Sequence, residues 1–151
     1  MRKALIRIRL SQKDVHYGGG IVNMARLLEL IGDCATELGV MRCGDEGLLA
    51  AYEHIEQYQP AFAGDYLEVW GWLSRIGNSS ATFEVEVLKV IQPTNAEGQC
   101  EYLDPPVLVA KATGVGVVPK EVDRGLQISE NEIPFIGSDE KKWWEEKRNK
   151  N

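Results

Sequence analysis

The sequence predicts an α+β domain in which an antiparallel sheet wraps one long helix. Three observations carry this expectation. Residues 4–10 alternate polar and apolar. Residues 21–39 repeat apolar side chains at three-four spacing. From residue 47 to residue 118 the alternation returns in several blocks. A chain of 151 residues suits one domain, with roughly 70% of the unfolded surface removed from water on folding.

The elements follow in order. Ala4 to Leu10 sets Arg7 and Arg9 on one side and Ile6, Ile8 and Leu10 on the other, a strand with one wet face. Ser11 to Gly20 is a polar loop ending in three glycines. Ile21, Met24, Ala25, Leu28, Ile31, Ala35 and Leu38 then define one largely buried helix, with Gly39 as its expected stop. Gly32, mid-helix, costs about 1 kcal/mol against Ala, for which close approach by a strand or another helix is the expected compensation. Gly47 to Gln57 and Tyr66 to Leu73 read as strands, and residues 77–80 (Gly-Asn-Ser-Ser) as a turn. Phe83, Val85 and Val87 alternate with Glu84 and Glu86 in the next strand. Pro93 to Pro106 reads as a long connection and Val107 to Val118 as the last strand. The small face of that strand (Ala110, Ala112, Gly114, Gly116) leaves room for the helix. The domain is expected to span 1–127, with 128–151 a C-terminal extension. Trp143 and Trp144 there suggest a docked short helix, the alternative being a partner-binding tail.

The composition narrows the function. With 17 basic against 23 acidic residues the formal charge is −6, which argues against a broad nucleic-acid face. No apolar run reaches the length of a membrane span, and the first residues do not resemble a signal peptide, so a cytoplasmic protein is expected. Cys34, Cys43 and Cys100 form no CxxC pair and read as reduced thiols. Only His16 and His54 are available, without zinc-site spacing, so no metal is expected. A five-stranded sheet round one helix leaves open edges, and such units usually pair.

The order strand, helix, four strands is that of the hotdog fold. Residues 60–65 (Pro-Ala-Phe-Ala-Gly-Asp) resemble the P-x-x-x-G-D turn of that fold, in which Asp65 can bond local backbone. Ser11 to Gly19, Val22-Asn23, Gly32 to Leu38 and Gly44-Asp45 resemble the β-alanyl-CoA and 3-aminobutyryl-CoA ammonia lyases. The likeness continues at Tyr66, at Gly77 to Ser80 and at Pro105 to Gly114. Gly20, Met24 and Gln57 depart from that pattern, the first two at the helix start, where substrate is expected. The resemblance implies reversible elimination of ammonia from a short β-aminoacyl-CoA, giving an enoyl-CoA. It also implies a site at a subunit interface and at least a homodimer, with a hexamer (trimer of dimers) expected. No cofactor is expected, because the thioester acidifies the neighbouring carbon. Two alternatives stand beside it: an acyl-CoA thioesterase on the same fold, and a non-catalytic CoA-ester-binding protein.

The reaction needs a base, donors for an enolate oxygen and a counter-charge for the ammonium. Gly18, Gly19 and Gly20 running into a helix start offer backbone N–H groups and the positive dipole end, although three glycines also make a flexible connection. Asp14, His16, Asp33 and Glu37 are the catalytic candidates. Asp33 and Glu37, four apart, share a helix face; a solvated acidic stripe is the alternative. An Asp14–His16 pair would be an oriented base, or a cap for the loop. Tyr17, Glu56 and Asn78 are candidate substrate contacts, each with a packing, solvent-facing or turn-closing alternative. Lys111, Lys120 and Arg124 are the expected CoA-binding cations, Lys120 and Arg124 forming a phosphate clamp, with Arg75 and Lys13 as further choices.

Overall fold

The computed structural model describes residues 3–129. Strand β1 is Ala4–Arg9. Two short strands follow, β2 (Val15–Tyr17) and β3 (Ile21–Val22), joined through Gly18–Gly20. Helix α1 spans Met24–Cys43. The remaining strands are β4 (Leu48–Gln57), β5 (Ala61–Phe62), β6 (Tyr66–Ile76), β7 (Ser80–Pro93) and β8 (Cys100–Val117). The main sheet is antiparallel in the order β1-β6-β7-β8-β4, and β2-β3-β5 form a small second sheet. No helix among the described residues is long and apolar enough to cross a membrane.

The core lies between α1 and the main sheet. Leu27, Ile31, Cys34 and Leu38 recur every three or four residues and are all buried, opposite Leu67, Val69, Val85 and Val87 of the sheet. Gly71 sets the closest approach, since a Cβ there would stand 2.7 Å from Cys34 Sγ.

The helix lies later in the chain than its periodicity predicts. Ile21 and Val22 are β-branched and pair with Phe62 and Ala61 instead of opening the helix. Asn23 is the N-cap, its Oδ1 accepting from the Arg26 N–H at 3.1 Å. Gly39 does not end the helix; a Cβ there would lie 3.1 Å from the Asp45 carbonyl oxygen, so its smallness admits the following loop. Gly44 ends it, with φ of 66° and its N–H on the Val40 carbonyl at 2.9 Å. The compensation expected at Gly32 is absent among the described residues, because none of them comes within 4 Å of a Cβ built there.

Residues 93–106 are not one long connection. β7 runs to Pro93, and β8 begins at Cys100. Pro105 and Pro106 stay inside β8 because the ladder to β7 shifts register between Lys89 and Ile91, an irregularity that tolerates a missing N–H. At Gly114 the bare face of β8 is filled by the Phe83 ring and not by the helix, since an added Cβ would collide with that ring.

β4 is an open edge. All its residues but Tyr52 are exposed, Leu48 at 71% and Leu49 at 53%. Beyond β8 the chain crosses the helix end: the Arg124 N–H donates to Cys43 O and the Gln127 N–H to Met41 O. Leu126 and Ile128 pack on the core, so packing continues just past the expected boundary at 127. The expected helix of Trp143 and Trp144 lies outside the described residues.

Candidate active site

The segment from Asp14 to Gly20 forms a hairpin standing off the first turn of α1. Tyr17 pairs with Ile21, and the three glycines make the connection. Gly19 and Gly20 have φ of 76° and 80°, a left-handed turn that glycine supplies without strain. Among the described residues no atom beyond the chain neighbours lies within 4 Å of a Cβ built at any of the three, so their backbone can be approached closely. The glycines do not run into the helix start, contrary to expectation: β3 and the Asn23 cap intervene. His16 and Tyr17 are exposed, their rings edge to face with centroids 4.9 Å apart.

Asp14 does not pair with His16. Its Oδ1 accepts from Arg26 Nε at 2.7 Å, and its Oδ2 accepts from the Ser11 N–H at 2.8 Å. Burial disfavours the charged form, but these bonds outweigh it and hold the carboxyl below its usual range. A carboxylate so stabilised is a weak base. It pins the hairpin to the helix through Arg26, which also reaches Glu29 at 3.3 Å.

Asp33 and Glu37 lie on the helix at different depths. Asp33 is exposed, whereas Glu37 is half-buried and accepts from the Leu5 N–H at 3.1 Å. Within one chain Glu37 therefore caps a backbone donor of β1. Glu56 stands on the open edge strand, accepting from Tyr58 OH at 2.9 Å and meeting His54 Nε2 at 3.0 Å. Those two hydrogen bonds, led by Tyr58, hold the Glu56 carboxyl low, and the same contact pushes the Tyr58 phenol up. Lys111 is opposite Glu56 in the ladder and pairs with Glu86 at 3.2 Å.

The phosphate clamp is not formed as expected. Arg124 Nε and one terminal nitrogen donate to Gly44 O at 3.2 and 3.0 Å, covering the carbonyl end of α1. Lys120 and Asn78 are exposed in their turns. Among the described residues no hydrogen bond or ion pair joins the hairpin to Asp33, Glu37, Glu56, Asn78, Lys111, Lys120 or Arg124. An open cleft lies between α1 and the β4–β8 edge, lined by Gly32, Thr36, Gly39, Leu49 and Gly116 among others. None of the expected site residues lines it.

Sequence reading passed over Lys89. Its ammonium is 2.9 Å from Asp65 Oδ2, the two side chains 7% and 2% exposed, and it donates to Pro60 O at 3.1 Å. The alternation of β7 held the signal, because Ala81, Phe83, Val85 and Val87 face inward and the next position of that parity is 89. Asp65 bonds local backbone as expected, accepting from the Phe62 N–H at 2.8 Å.

Residues 19–95 match the model of the thioesterase superfamily. A 3-aminobutyryl-CoA ammonia lyase of Acetoanaerobium sticklandii is 47% identical over 124 residues, which cover 81% of this chain and 98% of that protein. The chain belongs to the 3-aminobutyryl-CoA ammonia lyase family. A solved member of this ammonia lyase group, β-alanyl-CoA:ammonia lyase from Clostridium propionicum, is 36% identical with a TM-score of 0.83, covering 87% of this chain and 94% of that one. A hexameric hotdog fold thioesterase of Campylobacter jejuni shares the fold at 19% identity and a TM-score of 0.65, covering 84% of this chain and 90% of its own. The ammonia lyase family is thus a branch of the hotdog fold, and the α+β hotdog architecture expected from the sequence is the one found.

Proposed function

We propose that this protein reversibly eliminates ammonia from a short β-aminoacyl-CoA of the 3-aminobutyryl-CoA type. The observation that carries the reading is the 47% identity to a 3-aminobutyryl-CoA ammonia lyase across almost the whole of that enzyme. In the elimination a base takes the proton next to the thioester carbonyl, charge moves onto the carbonyl oxygen, and the carbon–nitrogen bond breaks as ammonia leaves with its electron pair. The thioester acidifies that carbon, so the reading includes no cofactor or metal.

The open backbone of Gly18–Gly20 serves the enolate oxygen. His16 and Tyr17 are exposed beside it and free to meet substrate. Asp33, also exposed, is the better counter-charge for the ammonium, because Glu37 and Asp14 are engaged by Leu5 and Arg26. The hairpin and the helix carboxylate share no bond within one chain, which supports a site completed by a second copy. Of the candidate cations, Lys120, Lys13 and Arg75 are exposed, and they are the ones left for CoA phosphates. The assembly is a homo-oligomer, at least a dimer and by family likeness a hexamer, in a reducing cytoplasm that suits three free thiols.

The test offers crotonyl-CoA and ammonium to the purified protein and follows amine adduct and free thiol separately. Adduct without thiol supports the lyase. Thiol without adduct assigns the protein to the thioesterases, and CoA-ester binding with neither product makes it a binding protein.

A further inference from the structure

The elimination uses neither Lys89 nor Asp65, yet both are buried. Removing two charges from water is a poor device for stability alone, since well-packed apolar side chains serve as well or better. The pair has direction instead. Lys89 Nζ meets Asp65 Oδ2 and the Pro60 carbonyl, and stands 5.2 Å from the centre of the Phe62 ring. Asp65 Oδ2 in turn accepts from the Phe62 N–H. The loop from Pro60 to Asp65 is therefore fastened to β7 at several points along its length.

That loop carries the hairpin. Phe62 and Ala61 pair with Ile21 and Val22, and the Ala63 N–H donates to Gly20 O at 3.1 Å. On its other side the Gly64 N–H donates to Leu10 O at 2.7 Å and the Leu10 N–H to Asp65 O at 2.9 Å, fixing the chain just before the hairpin begins. Both ends of the segment 11–20 are thus referred to one buried ion pair. We propose that Lys89 and Asp65 are a positioning pair for catalysis, setting where the Gly18–Gly20 backbone, His16 and Tyr17 stand against the substrate thioester. This rests on the reading of the hairpin as part of the lyase site.

The test is the double variant Asp65→Asn/Lys89→Met, which removes both charges and keeps side-chain size. Its melting midpoint and oligomeric size are compared with wild type, and kcat and KM are measured separately for ammonium addition to crotonyl-CoA. A folded, correctly assembled variant whose kcat falls about tenfold or more supports the pair, because a displacement of about 1 Å suffices for larger losses. A folded variant with kcat and KM within about twofold of wild type overturns it; that band is narrow beside the loss expected from displacement. Should the double variant unfold, Asp65→Asn alone decides: the same loss of kcat in a folded chain supports the pair, and wild-type constants overturn it. A wild-type protein that forms no adduct overturns the lyase reading and the positioning role together. An active wild type with an unaffected variant overturns the positioning role alone.

Discussion

Asp14 binds the loop after β1 to the first turn of α1, and the direction of its pKa shift dictates a pH response. Its folded value lies below the ordinary carboxylate value, so ionised Asp14 favours the folded chain above the unfolded pKa, near 4. That contribution disappears as pH falls through the folded value. Asp14→Asn is therefore expected to be less stable than wild type at pH 7, by about 1 kcal/mol, with the gap narrowing as pH falls below the ordinary carboxylate value. Denaturant midpoints at pH 7 and at a series of pH values below 4 measure it. Thiol reactivity gives a second test at this scale. Burial, with Glu37 adding, pushes the Cys34 thiol up to about 12, and burial pushes Cys43 up to about 11. Cys100 is exposed. A disulfide reagent at pH 8 should modify one thiol per native chain, Cys100, and all three only after unfolding. Fast modification of Cys34 in folded protein would contradict the packing of α1 on Gly71.

Among the elements, the helix shows what was legible in the sequence and what was not. Its existence followed from three-four spacing, but its buried face is turned from the expected stripe: Ile31 and Leu38 are buried as expected, Ala25 is exposed, Met24, Leu28 and Ala35 are half-buried, and Leu27, Leu30 and Cys34 take the centre. Its start did not follow, since Ile21 and Val22 satisfy a helical stripe and a strand equally well. Only pairing with Phe62 and Ala61, about forty residues away, decides between them. Asn23 was the local cue. Two glycines make opposite predictions on this element. Gly71→Ala forces a Cβ into Cys34 Sγ and should cost about 1–3 kcal/mol. Gly32→Ala meets nothing among the described residues and should gain about 1 kcal/mol from helix propensity. Thermal midpoints of the two variants should move to opposite sides of wild type. The site was less legible than the fold. Asp14, Glu37 and Arg124 have the residue types that the chemistry asks for, but each is held by backbone or an ion pair that no spacing rule reveals. Lys89 was hidden for the converse reason: a lysine in an alternating strand reads as solvent-facing until the parity of its neighbours is followed through.

For the whole molecule, the open edge at β4 matters most. Leu48 and Leu49 are more than half exposed and Ile55 is 39% exposed, beside unpaired backbone along ten residues. An edge of this length and character ordinarily acquires a partner strand. Leu49→Lys/Ile55→Lys is expected to shift the protein to smaller species in size-exclusion chromatography with light scattering. Lyase activity should be lost with the assembly and not merely reduced. A monomer with full activity would mean that one chain holds the complete site.

The bond from the Leu5 N–H to Glu37 bears on how such chains accumulate. A sheet with two adhesive borders can add copies at both and grow without limit. Here the border at β1 has a carboxylate on one of its free donors and carries Arg7 and Arg9, both exposed, while the border at β4 is bare. Addition at β1 is thereby disfavoured relative to β4, and two copies joined at β4 would use up the freer side. The same contact that removes Glu37 from the list of free bases is therefore expected to disfavour strand-by-strand polymerisation.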